Sequence, residues 1–110
     1  LIIYGDLFEF NYSIANVVTL YLGTDINERL RPKLERELKP GTRVVSHDFE
    51  VPGWKPIIVE DLYEEWRSHK IYLYKISGAE IPVPSKLASE VSPHLDPLSK
   101  VILDLIDGVA

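Results

Sequence analysis

Asn16-Val17-Val18-Thr19-Leu20-Tyr21-Leu22, then Ile26, Leu30, Leu34 and Leu38, then Arg43-Val44-Val45-Ser46-His47-Asp48-Phe49: this stretch decides the fold. The first run is nearly continuously apolar, as strands covered on both faces are, and the last reads as a further strand. The middle run repeats its apolar residues at helical spacing, giving one buried stripe. Asp25 with Glu28 predicts a capping box at its start, and Lys39-Pro40-Gly41 predicts its stop. Pro32 either kinks this helix or begins a new one after a short first turn. The cations from Arg29 to Arg43 alternate with Glu28, Glu35 and Glu37, which reads as a solvated helix face. A strand, a helix and a strand in this order join as a crossover between parallel neighbours.

Working outward, Leu1-Ile2-Ile3-Tyr4 reads as the end of a buried strand that stops at Gly5-Asp6. On the other side, Val51-Pro52-Gly53-Trp54-Lys55-Pro56 is a loop. Ile57 to Leu62 and Lys70 to Ile76 are strands of an antiparallel hairpin, separated by a polar stretch. Residues 1–76 therefore form an α/β unit, half of a doubly wound fold: parallel strands with an antiparallel edge hairpin. Residues 77–110 form a Pro/Ser-rich arm and a last amphipathic helix. That helix opens at Asp96-Pro97 and carries Leu98, Val101, Ile102, Leu105 and Ile106 as its stripe.

The chain has 110 residues, 45% hydrophobic and 26% charged, so one globular domain is expected. It begins at Leu1 and contains no Met, which predicts a fragment, a processed product or a trimmed chain. Without Cys there are no disulfides, thiolate zinc sites or thiol nucleophiles, and a reducing cytoplasm is the expected location. A net charge of -5 and a pI near 5.1 disfavour nucleic acid and favour basic protein partners. No membrane span is expected, because no run reaches the roughly 18 apolar residues it needs. Nor do the first residues read as a signal peptide.

Open α/β sheets bind ligands at the C-terminal ends of their strands. Asp6, Tyr21 to Asn27, and His47 to Trp54 all fall at that edge. Ser46-His47-Asp48 is not a catalytic triad, because adjacent strand residues point to opposite faces. His69 and His94 lack partners at metal-ligand spacing, so they read as solvated surface and no metal site is expected.

Several segments carry a family likeness. They are Gly5-Asp6-Leu7-Phe8-Glu9, Val17 to Leu22, Asn27-Glu28-Arg29-Leu30-Arg31-Pro32-Lys33-Leu34, Leu38 to Phe49, and Gly53-Trp54. From Gly5 to Ile76 the chain resembles the C-terminal half of a class I, Rossmann-like S-adenosylmethionine-dependent methyltransferase. It is most similar to small archaeal protein-lysine methyltransferases, and more distantly to histone-lysine methyltransferases without a SET domain.

The resemblance implies S-adenosylmethionine as cofactor and protein lysine side chains as substrate. It implies that Asp6 accepts a hydrogen bond from the adenine amino group, with the Leu7 N–H at a ring nitrogen. Tyr21 and Leu22 would border the methyl-transfer point, with Tyr21 orienting the amine. His47, Phe49 and Trp54 would form the substrate wall. Each has a plainer reading: Asp6 as a turn residue, Tyr21 as strand-end packing, His47 as a polar strand end, Trp54 as a lid on the core. The family's Gly-rich loop and ribose-holding acid are absent and are expected upstream of Leu1. Ser77 to Ala110 matches no part of that pattern.

Two other readings compete. One is a noncatalytic module that binds partners or dimerises through an exposed sheet edge or the last helix. The other is a different nucleotide-binding α/β protein. A piece that begins inside a sheet is expected to be inactive alone, and to form homo-oligomers, exchange elements or need its missing half.

Overall fold

The structure, a computed structural model, describes residues 3–76. A short 3-10 turn, Tyr12–Ile14, leads into strand β1, Val17–Leu20. Helix α1, Thr24–Glu37, crosses to strand β2, Arg43–His47, and the hairpin of β3, Ile58–Glu64, and β4, Arg67–Lys75, follows. The sheet order is β1-β2-β4-β3. β1 and β2 run parallel, from Val17 opposite Arg43 to Leu20 opposite Ser46, whereas β2–β4 and β4–β3 are antiparallel. This is the expected α/β class with an antiparallel edge.

The stripe on α1 explains the packing. Leu30, Leu34 and Leu38 pack with Val18, Leu20, Val44, Val51 and Tyr74 into the core between helix and sheet. β2 is buried along its whole length, the polar Arg43, Ser46 and His47 included.

Several local expectations are corrected. Asp25 is not the helix cap. Gly23 is the N-cap and offers no side-chain bond, and Asp25 lies in the first turn, where its charge favours the helix dipole. Pro32 sits inside a single helix, not at the start of a second one. The basic face is only partly solvated. Arg29 lies 4.8 Å over the Phe8 ring and Lys33 5.7 Å over the Tyr12 ring, and Arg43 is buried. Long cationic stems cover apolar rings while their heads stay wet, so sign alternation does not distinguish this from a free face.

Ile3 and Tyr4 belong to no strand and are exposed, because no strand among the described residues lies beyond β1 for them to join. The hairpin is longer than expected, pairing Tyr63 with Ser68 and Glu64 with Arg67. An outermost strand with one wet face needs no apolar run, which hides its length from the pattern. Leu1, Ile2, the arm from Ser77 and the last helix lie outside the described residues. Among the described residues no helix is long and apolar enough to cross a membrane.

Candidate functional site

Both parallel strands deliver their last residues to one edge. β1 ends at Leu20, so Tyr21 is the first residue beyond it. β2 ends at His47, and Asp48 turns the chain away with a φ of 66°. Left-handed backbone is tolerated by Asp better than by most residues. Here it is held by exchange with β4: the Asp48 N–H donates to the Lys70 carbonyl at 2.6 Å, and the Lys70 N–H donates to Asp48 Oδ1 at 3.1 Å.

The Tyr21 ring lies 4.2 Å from the His47 ring and 6.5 Å from the Phe49 ring. Three of the expected site residues therefore meet at the strand ends. Arg67 closes the group: its guanidinium pairs with Asp48 Oδ2 and donates to the Tyr21 hydroxyl at 3.4 Å. That bond to Tyr21, with the nearby Asp48 carboxylate, raises the Arg67 pKa. Burial lowers the His47 pKa against the opposing pull of Asp48, so the imidazole is held toward its neutral form.

His69 is not solvated surface. It is buried, and its Nδ1 lies 2.7 Å from His47 Nε2. Its Nε2 faces Glu64 Oε2 at 3.1 Å. His69 shares the strand phase of Ile71 and Leu73, both fully buried, and that alternation was the available signal. His94 lies outside the described residues. Ser46 and His47 do point apart, Ser46 toward Asn27 of α1 and His47 toward His69 and Tyr21.

Asp6 and Leu7 lie in a different place. With Ile3, Gly5, Glu9, Phe10 and Tyr12 they line an open groove of about 530 Å³. Asp6 Oδ1 accepts the Phe8 N–H at 2.8 Å, and its backbone carbonyl accepts from Glu9 and Phe10, so the residue does build a turn. Leu7 and Leu22 pack partly buried against the core. Trp54 is not brought to Tyr21 and His47. Its Nε1 donates to Glu35 at 2.8 Å, and its ring meets the edge of Tyr74 at 5.5 Å, toward the start of β2. It borders a second cavity of about 420 Å³ with Glu35, Gly53, Lys55 and Lys75.

Comparison with known proteins gives this geometry a family. The ANTKMT methyltransferase domain matches residues 1–58. A protein-lysine N-methyltransferase of Saccharolobus islandicus is 53% identical over 75 residues, 68% of this chain and 47% of its own. The adenine nucleotide translocase lysine N-methyltransferase of Mus musculus is 29% identical over 101 residues, 87% of this chain and 42% of its own. The crystal structure of an RNA methyltransferase from Salinibacter ruber, in complex with S-adenosyl-L-homocysteine, superposes with a TM-score of 0.60 at 49% identity. That match covers 71% of this chain and 48% of the Salinibacter chain. The chain spans about half the length of the relatives it matches. With the matched domain running from Leu1 through both parallel strands and α1, the chain belongs to the ANTKMT methyltransferase-domain family.

Proposed function

We propose that this chain is the C-terminal half of an S-adenosylmethionine-dependent methyltransferase that modifies lysine side chains of proteins. The observation that carries the reading is the meeting of Tyr21, His47 and Phe49 at the ends of two parallel strands in a chain of this family. The residues of the Asp6 groove fit an adenosine group. The groove is acidic and partly apolar, and its size falls within the ordinary range of ligand pockets, about 300–1,000 Å³. Asp6 Oδ1 is engaged in the turn, which leaves Oδ2 as the acceptor for an exocyclic amine. When bound, S-adenosylmethionine supplies the activated methyl group.

The remaining work falls to the protein. Leu7 and Leu22 supply apolar walls, and Tyr21 and Phe49 present ring faces and a hydroxyl to an incoming amine. The amine must arrive neutral, and holding His47 toward its neutral form keeps a second cation from joining Arg67, whose charge is paired with Asp48. Trp54 is better read as a lid on the core. In this proposal residues 1–76 form the catalytic half-domain. A net charge of -5 opposes a polyanionic substrate, so a lysine peptide is the first acceptor to try and RNA is the control.

The test is calorimetric titration of S-adenosylmethionine into the chain alone, and into the chain supplied with the rest of the archaeal relative. Binding is expected only in the second case, weakened by Asp6→Ala, with methylated lysine then read by mass spectrometry. Absence of binding in both cases would sink the methyltransferase reading. Binding by the chain alone would sink the split-site part of it.

A further inference from the structure

We propose that His47, Asp48 and His69 form a binding site for one divalent transition-metal cation of the zinc(II) type. The ligand atoms are already gathered. His47 Nε2, His69 Nδ1 and an Asp48 carboxylate oxygen all lie within 4.8 Å of one another. His47 Nε2 stands 3.4 Å from Asp48 Oδ2 and 2.7 Å from His69 Nδ1. Ligands about 2.0–2.1 Å from a tetrahedral ion stand roughly 3.3 Å apart, so the carboxylate pair already fits. The two imidazole nitrogens must separate by about half an ångström when the proton they share gives way to a cation, and the Asp48 carboxylate must draw in toward His69 Nδ1, the pair that sets the 4.8 Å span.

The surroundings are those of a metal-binding histidine. Glu64 Oε2 lies 3.1 Å from His69 Nε2, where it accepts that N–H and leaves the Nδ1 lone pair facing His47. A carboxylate behind the non-ligating nitrogen is the usual partner of such histidines, fixing both tautomer and ring orientation. Both imidazoles are buried at 6% exposure, so their positions are set by packing. Two imidazoles and one carboxylate suit zinc(II) or cobalt(II) and leave a fourth position for water. An ion there would tie the end of β2 to the hairpin.

One feature opposes loading. The Arg67 guanidinium pairs with Asp48 Oδ2, the same oxygen an ion would take. Arg67 is about half exposed, and its head can withdraw into solvent. The site is thus expected to bind more tightly without that guanidinium. None of this depends on the methyltransferase reading, since it needs only the three side chains and Glu64.

The test uses the whole chain with cobalt(II) and zinc(II) as probes. Cobalt is expected to give the visible ligand-field band of a tetrahedral site at one equivalent, displaced by zinc. Zinc is expected to raise the melting temperature, and EDTA to reverse the rise. His47→Ala and His69→Ala should abolish the band, with circular dichroism confirming that each still folds. Asp48→Asn keeps a residue that tolerates left-handed backbone. It therefore reports on the carboxylate alone and should weaken binding at least about tenfold, as should Glu64→Gln. Arg67→Gln should tighten binding, and His94→Ala should leave it unchanged. A wild-type chain that gives no band overturns the proposal. So does a band that survives loss of either His47 or His69, is insensitive to Asp48→Asn, or vanishes in His94→Ala.

Discussion

The Nδ2 amide of Asn27 donates to Ser46 Oγ at 3.3 Å, joining the first turns of α1 to the end of β2. The same amide reaches the carbonyls of Phe49 and Glu50 at 3.3 and 3.0 Å, and Ser46 Oγ itself donates to the Phe49 carbonyl. Asn27 is fully buried, so these bonds form away from competing water. Its amide thereby shapes the chain leaving β2, where His47 and Phe49 stand. Asn27→Ala would strand the Glu50 carbonyl and take one of two donors from that of Phe49, and a buried unpaired polar group costs about 1–3 kcal/mol. Urea unfolding should show a loss of that size. A change within a few tenths of a kcal/mol would mean that water takes over these carbonyls.

A second link binds α1 to the segment before β1. The Tyr12 N–H donates to Glu37 Oε1 at 3.0 Å, and Lys33 Nζ donates to Oε2. The Lys33 bond first, and the Tyr12 N–H second, hold the Glu37 carboxyl below its usual pKa. A lowered native pKa means that the unfolded chain takes up the proton first as the solution is acidified. Glu37 therefore contributes stability above the ordinary glutamate value of about 4.3, and that contribution is lost as pH falls through the native value. Melting temperatures followed from neutral pH downward should fall less steeply in Glu37→Gln than in the wild type. Parallel acid limbs would show that the pair is too well solvated to matter.

The parts of this fold set by periodicity were legible in the residues. The strand–helix–strand unit and its parallel pairing follow from two strand runs around a helical stripe, and the hairpin follows from alternation after the Pro-Gly loop. The end of β2 was legible as a site because ligand edges follow from topology. What escaped was polar and long-range. Asn27 occupies the phase of Leu30 and Leu34, yet a polar residue in an apolar stripe does not name its partner. His69 has its partners on β2 and at the hairpin end, and only pairing register brings them together. Trp54 misled in the opposite sense, because a Gly-Trp loop shows that a ring is placed but not against which end of the sheet.

Gly53 turns with a φ of 90°, and a Cβ there would stand on the guanidinium of Arg31. Two penalties could follow from Gly53→Ala, one of backbone strain and one of collision. The colliding atoms are the far end of a flexible side chain, which can swing away. Strain should therefore dominate, at about 1–2 kcal/mol for a non-glycine residue in left-handed backbone. A double-mutant cycle with Arg31→Ala separates the two. The cost of Gly53→Ala is expected to be nearly the same in both backgrounds. A cost that disappears once Arg31 is truncated would assign the effect to collision instead.

The loop containing Gly53 is fastened at its start by the Val51 N–H, which donates to the Tyr74 hydroxyl at 2.9 Å. Val51 is 1% exposed and Tyr74 2%, so no water stands ready to replace that oxygen. Tyr74→Phe keeps the ring against Trp54 and removes only the acceptor. The orphaned N–H should cost about 1–3 kcal/mol in urea unfolding at neutral pH. The gap should then narrow in alkali. Burial raises the Tyr74 pKa, against the lowering effect of the Val51 N–H, so the unfolded chain ionises first. The stability that Tyr74 contributes is complete below the ordinary tyrosine value of about 10 and is lost as pH rises through the native one. Curves for wild type and Tyr74→Phe that converge above that value would support a buried, neutral hydroxyl holding the loop. A gap that stays constant would show that the hydroxyl reaches solvent and that Val51 is fastened by packing alone.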